Sequence, residues 1–350
     1  MFCSGSGTKQ AQPGGKTYEG EGKMNQRKLG SFVLCAILFA IFSSAEAQQP
    51  APFRIGWISN DRSSGESPFF DAFRDGMRAL GYVEGRNVVI DARWGEGSNE
   101  RLEQLASELV ASNPQLIVTQ GGPATYPVMH AGAKMPVVFS FSGDPVEGKV
   151  VDSFAHPGRN LTGVSFLSLD LVGKRMELLK ETIPSLKRVA ILANPQHPGE
   201  QSELRASQSA AKQLGLRLEY FELPVSAKLE EMLPAIAKSR SDAMVVFPDA
   251  YMMRLGQRIA GFAIKNRTPA ISGWAQFAED GNLMTYGPNL RDSYRRLAYY
   301  VDRILKGAKP SDLPVELPMK FELVINLKAA KQIGVTIPPN VLVRADKVIR

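Results

Sequence analysis

From residue 53 onward, short apolar runs of strand length alternate with amphipathic stretches of helix length, and this alternation leaves few folds open. Residues 53–59 read as a strand; residues 67–80 carry helical spacing through Phe70, Phe73, Met77 and Leu80, closed by Gly81. Residues 87–94 alternate as a strand does, and 100–112 place Leu102, Leu105, Leu109 and Val110 along one amphipathic helix. A strand opening at Leu116, a helix over 124–133 and a strand over 136–141 complete a first round, which runs into Ser142-Gly143-Asp144-Pro145. Strands separated by helices at this spacing pair in parallel within a doubly wound sheet.

The pattern then restarts. Helices are expected over 169–182, 201–214, 227–239 and 253–266, and strands over 188–193, 217–222, 243–247, 270–272 and 283–286. Two successive rounds of similar size fit two lobes of like architecture. One long helix over 290–306 follows and stops at Gly307-Ala308-Lys309-Pro310. The remaining strand over 321–325 and helix over 327–333 are too short for a domain, so they return to lobes already built.

Parallel sheets bind ligands outside the carboxyl ends of their strands. Those ends are Ser59-Asn60, Gly121 to Thr125, Ser142 to Asp144, Asn194, Asp249, Trp274 and Tyr286. The run Leu116-Ile117-Val118-Thr119-Gln120 stops at Gly121-Gly122 and enters a helix at Pro123-Ala124-Thr125. Unbonded N–H groups and the partial positive charge at a helix start attract an anion, and Pro123 suits a position that needs no N–H. Gly122, Pro123, Ala124 and Thr125, with Ser142, are therefore candidates for a carboxylate. Asp144 and Asp249 are candidates for an ammonium group, although beside Pro145 and Pro248 both read equally as turn or cap residues. Trp274 and Tyr286 are candidate platforms for an apolar or aromatic moiety, or else core residues.

Catalytic patterns are missing. His130, His156 and His197 show no metal-ligand spacing, and there is no G-x-S-x-G elbow, no phosphate-binding loop of the G-x-x-x-x-G-K type and no dinucleotide fingerprint. Glu230-Glu231 reads as a solvated helix face. Neither an enzyme nor a cofactor is expected, and no metal site.

Ahead of this body, Arg27 and Lys28 precede an apolar stretch over 29–42 and an A-x-A site at Ala45-Glu46-Ala47. That is the pattern of a cleaved secretory signal peptide, with the mature chain starting near residue 48. Residues 1–23, rich in Gly, Ser, Lys and Gln, read as a disordered leader or an upstream extension of the gene, with Met24 as the start. Both cysteines, Cys3 and Cys35, lie within residues 1–47, so the mature chain would rely on its core alone. The full chain carries 42 Lys and Arg against 35 Asp and Glu. Removing five and three of these leaves 37 against 32, an unclustered excess that gives no footing for nucleic-acid binding.

Several ordered motifs carry a family resemblance. Residues 73–88, ending Gly81-Tyr82-Val83-Glu84-Gly85-Arg86-Asn87-Val88, are followed by Gly143-Asp144-Pro145-Val146, by 156–163 (HPGRNLTG) and by 173–180 (GKRMELLK). Tyr286-Gly287-Pro288-Asn289, residues 304–310 (ILKGAKP) and residues 320–326 (KFELVIN) complete the set. Together they resemble the substrate-binding proteins of ABC transporters of the tryptophan/tyrosine type, from about residue 53 to the C-terminus. The resemblance implies an α/β type I periplasmic-binding-protein fold: two Rossmann-like lobes with parallel sheets, joined by three crossovers near Gly163, Gly287 and Leu313. It implies an N-terminal lobe of residues 53–163 plus 288–312 and a C-terminal lobe of 164–287 plus 313–350. It further implies ligand contacts at Ser59, Gly122 to Thr125, Ser142, Asp144, Asn194, Asp249, Trp274 and Tyr286. The implied role is that of a monomeric periplasmic protein closing on a small molecule, an amino acid or related carboxylate, and presenting it to an ABC permease in the inner membrane. A ligand-sensing module for a membrane signalling partner is the alternative.

Overall fold

The computed structural model describes residues 51–61, 67–167 and 169–350; the expected leader and signal peptide lie outside them. Successive strands and helices run as β1 (Phe53–Ser59), α1 (Pro68–Ala79), β2 (Val88–Trp94), α2 (Asn99–Ala111), β3 (Leu116–Gln120), α3 (Gly122–His130), β4 (Val137–Phe141) and β5 (Leu161–Ser165). They continue through α4 (Asp170–Thr182), β6 (Arg188–Ala193), α5 (Glu200–Leu214), β7 (Arg217–Glu222), α6 (Leu229–Ser239), β8 (Ala243–Val246), α7 (Ala250–Arg254), α8 (Gly256–Asn266) and β9 (Ala270–Ser272). The last elements are α9 (Ala275–Glu279), β10 (Met284–Pro288), α10 (Leu290–Leu305), a 3-10 turn (Pro310–Asp312), β11 (Phe321–Asn326), α11 (Leu327–Ile333), α12 (Pro339–Leu342) and β12 (Lys347–Ile349).

These strands form two sheets, ordered β2-β1-β3-β4-β5 and β12-β11-β10-β9-β8-β6-β7. The first is parallel throughout, and the second is parallel except where β11 runs antiparallel to β10. Helices cover both faces of a parallel sheet, which is why β4, β6 and β8 are almost wholly buried and read as continuous apolar runs. The chain passes between the lobes after β5, between β10 and α10, and again between the 3-10 turn and β11.

Caps fix where the helices that face the cleft begin. Ser67, Ser98, Asp249 and Asn289 each accept a backbone N–H from three residues on, opening α1, α2, α7 and α10. Gly121 opens α3 with φ of 77°, a conformation costly for any residue with a side chain. α10, from late in the chain, packs on α1 and against β4 and β5. Its Tyr294 stacks on Phe69 at 4.6 Å, and Asp302 accepts from the Tyr82 hydroxyl at 3.0 Å.

Two differences from the sequence reading bear on the site. The single helix expected over 253–266 is two, because Asp249 starts a helical turn before Met253 and the Leu255 N–H closes that turn onto Met252 O. β5, α9, α12 and β12 were not expected; each is short, and β5 is defined by its pairing with β4 rather than by its own residues.

Candidate ligand-binding cleft

Two adjoining cavities lie where the carboxyl ends of the two sheets face each other. The inner, of about 170 Å3, is lined by residues of both lobes, among them Asn60, Asp61, Phe69, Gln120, Phe166, Trp274 and Tyr294. The outer, of about 350 Å3, is bordered by Asn99, Glu103, Gly122, Tyr126, Asn194, Gln196, His197, Asp249 and Tyr251. Pro123, Ser142, Ala250 and Arg254 line both and form the throat between them.

Aromatic rings from four distant parts of the chain wall the inner cavity. Phe69 opens α1, Phe166 follows β5 at the crossover, Trp274 caps α9 and Tyr294 sits on α10. Phe166 stands edge-on to Trp274 at 6.2 Å and to Tyr294 at 5.6 Å, and Tyr294 stacks on Phe69. The Ser140 hydroxyl donates to the Tyr294 oxygen at 3.0 Å, fixing that ring. Edge and offset contacts of this kind leave a flat slot that favours another ring. Among the described residues, Asn60 Oδ1, Gln120 Oε1 and Trp274 Nε1 are buried without a hydrogen-bond partner. Buried polar atoms are nearly always partnered, so side chains with unmet capacity at one slot favour a ligand with polar groups of its own, although Asn60 Oδ1 itself lies against Gly95.

Charge gathers at the throat. Arg254 is exposed, reaches both cavities, and among the described residues pairs with no carboxylate, resting instead over the Tyr251 ring. Asp249 is 4% exposed; its Oδ1 accepts from Met252 N at 2.6 Å, leaving the other oxygen to the cleft. The start of α3 offers less than its sequence promised. Pro123 has no N–H, and Ala124 and Thr125 N–H both return to Gly121 O, at 3.2 and 3.0 Å. Among the described residues, only the Gly122 N–H of this first turn lacks an acceptor.

Of the residues expected from sequence, Gly122, Pro123, Ser142, Asn194, Asp249 and Trp274 line the cleft. Ser59, Ala124, Thr125, Asp144 and Tyr286 line neither cavity. Ser59 is fully buried and its hydroxyl accepts from Asp61 N. Ala124 is buried in the core beneath α3, and the Thr125 hydroxyl bonds Gly121 O and Thr119 Oγ1. Asp144 caps its own turn through the N–H groups of Val146 and Glu147. Tyr286 packs on the core of the second sheet. Asn60, a strand end not assigned a contact, enters as a lining residue, as do Asp61, Phe69, Gln120, Phe166, Arg254, Tyr294 and His197, which sequence did not single out. Asn60 had a usable signal, being the first residue beyond β1, whereas the aromatic walls had none.

Behind the cleft, Arg175 of α4 and Glu203 of α5 form a buried ion pair at 2.5 Å, and Arg175 reaches Tyr286 O at 3.5 Å. Burial pushes the Glu203 carboxyl up to about 7; Arg175 opposes the rise, while Asp249 and Glu200 add to it. Among the described residues, no group of three His, Cys, Asp or Glu side chains is placed to hold a metal.

Two parallel-sheet lobes meeting over a ligand-sized aromatic slot define a binding protein of the periplasmic type. The chain belongs to the family described as ABC transporter substrate binding protein, whose profile matches residues 65–349. It is similar to a tyrosine-binding protein of Clostridioides difficile, 24% identical over 270 residues, covering 75% of this chain and 76% of the relative. Among solved structures it resembles an ABC domain from Streptococcus pneumoniae in complex with L-Trp, at 25% identity and TM-score 0.78, covering 85% of this chain and 100% of the other. A conserved domain protein from Vibrio cholerae is 30% identical, with TM-score 0.74, covering 85% and 99%. The protein is thus a substrate-binding protein and not an enzyme.

Proposed function

We propose that this protein is the periplasmic component of an ABC importer for an aromatic amino acid with a polar ring tip, and that it works as a monomer, delivering its ligand to an inner-membrane permease. The observation that carries this reading is the inner cavity, where four aromatic walls enclose a slot also lined by Gln120, whose Oε1 has no partner of its own. An indole N–H or phenol O–H supplies the donor that Gln120 Oε1 lacks. The ligand carboxylate then meets Arg254 and the Gly122 N–H at the throat, and its ammonium meets the free oxygen of Asp249. Of the relatives, one is a tyrosine-binding protein and one is solved with L-Trp, both ligands of this class.

Residues 53–165 with α10 act as one lobe and the second sheet with its helices as the other. The ligand touches both only when they are closed, so binding shifts the equilibrium toward a closed shape that the permease can read.

Calorimetry with L-tryptophan, L-tyrosine and L-phenylalanine tests the assignment. L-Phenylalanine fills the slot but leaves that acceptor unpaired, which costs about 1–3 kcal/mol per buried polar group. It is expected to bind at least tenfold more weakly than the better of the other two. Equal affinities for all three would remove the polar-tip reading, and no binding of any would remove the ligand class.

A further inference from the structure

Where the two lobes touch, the chain makes a small set of direct contacts. Ser142 Oγ, on the loop after β4, and His197 Nε2, on the loop after β6, lie 2.9 Å apart. Two residues on, Asp144 N donates to Pro198 O at 3.1 Å. Between them Gly143 lies so close to the opposite loop that a Cβ there would stand 2.1 Å from Pro198 O. Both loops end strands, but in different sheets, so every one of these contacts is made only while the lobes are together.

We propose that Ser142, Gly143 and Asp144, meeting His197 and Pro198, form a latch that holds the two lobes closed and releases as the medium becomes acidic. Ser142 and His197 have the spacing of a nucleophile and its base. Among the described residues no carboxylate accepts from His197 Nδ1, however, and the two side chains belong to separate lobes, which suits a closure contact rather than catalysis.

The direction follows from the surroundings of His197. Burial in the closed state lowers its pKa; Asp249 at the start of α7 and Glu147 on the loop after β4 oppose that shift without cancelling it. Arg254 of α7 and Glu103 of α2 border the same cavity, and Glu200 and Glu203 follow on α5. With the lobes apart, the ring faces water and titrates near its ordinary value of about 6.5. The closed state therefore binds fewer protons than the open one between that value and its own lower pKa. The contribution of His197 to closure is fully present above about pH 6.5 and is lost below it, by up to about tenfold in the closing equilibrium per pH unit. Glu203, raised to about 7, titrates nearby with its partner Arg175 in the same lobe, and His197→Gln, which leaves that pair in place, separates its contribution from that of His197. His130 and His156 are exposed and do not touch the opposite lobe.

The test uses L-tryptophan as probe and reads its Kd by calorimetry and the radius of gyration by X-ray scattering, between about pH 7.5 and pH 5.5. Wild type is expected to lose affinity progressively below about pH 6.5. His197→Gln keeps an N–H near the Nε2 position but cannot titrate there, so its Kd should be flat across the range, whatever its value at neutral pH. Gly143→Val should keep its melting transition and fail to compact with ligand. A wild-type slope retained in His197→Gln, or normal compaction of Gly143→Val, would overturn the latch. If L-tryptophan does not bind wild type at any pH, the ligand assignment fails, and ligand-free scattering decides the latch alone. Wild type more compact than Gly143→Val at neutral pH and matching it in acid then supports the latch, and identical curves overturn it.

Discussion

The inner and outer cavities share four residues and a throat, yet they are built on opposite principles. The inner is a slot of rings whose lining residues Gln120 and Trp274 each keep a polar atom without a partner. In the outer, the polar side chains are partly occupied: Asn194 Oδ1 accepts from Gln196 N, Gln196 Oε1 accepts from Val225 N, and Glu103 faces His130. The larger volume is therefore the less demanding one. Cavity size alone points to the outer chamber, whereas unmet hydrogen-bonding capacity and aromatic geometry point to the inner, where the ring of a ligand would be held.

Substitutions on either side of the throat sharpen that contrast. Trp274→Ala removes the ring that stands edge-on to Phe166 and is expected to weaken L-tryptophan binding by about 3 kcal/mol or more, as for a buried aromatic anchor. Asp249→Asn retains an oxygen to cap α7 but removes the charge; calorimetry should record a loss of about 1.5–3 kcal/mol with little change in Tm. Gln196→Ala, in the outer wall, should change affinity by less than about 0.5 kcal/mol, the usual range for a surface substitution. If Gln196→Ala cost as much as Trp274→Ala, the bulk of the ligand would have to lie in the outer chamber.

Much of this architecture is legible in the chain. The strands at 53–59, 188–193 and 270–272 begin and end where their apolar runs do, because burial on both sides leaves little room for polar interruption, and the edge strand at 217–222 and the helix at 327–333 fall where their alternating patterns place them. The carboxyl ends of those strands locate the cleft. Which side chains point into it is harder to read, since a strand end exposes one residue and buries its neighbour: Ser59 turns inward while Asn60 lines the slot. Asp144 and Asp249 both sit beside a proline and both cap a turn. They differ in that Asp249, next to the throat residue Ala250, borders the outer cavity, whereas Asp144 lines neither. Phe69, Phe166, Trp274 and Tyr294 have no shared periodicity, and only the two-lobed fold assembles them.

The late arrival of α10 has a consequence for how the chain is made. The first sheet, complete in sequence by Ser165, keeps α1 and one wall of its aromatic slot uncovered until Leu290–Leu305 has been synthesised. β10 likewise lacks its antiparallel neighbour until β11 has emerged. Each lobe is therefore completed only by segments that come after residue 289 in the chain.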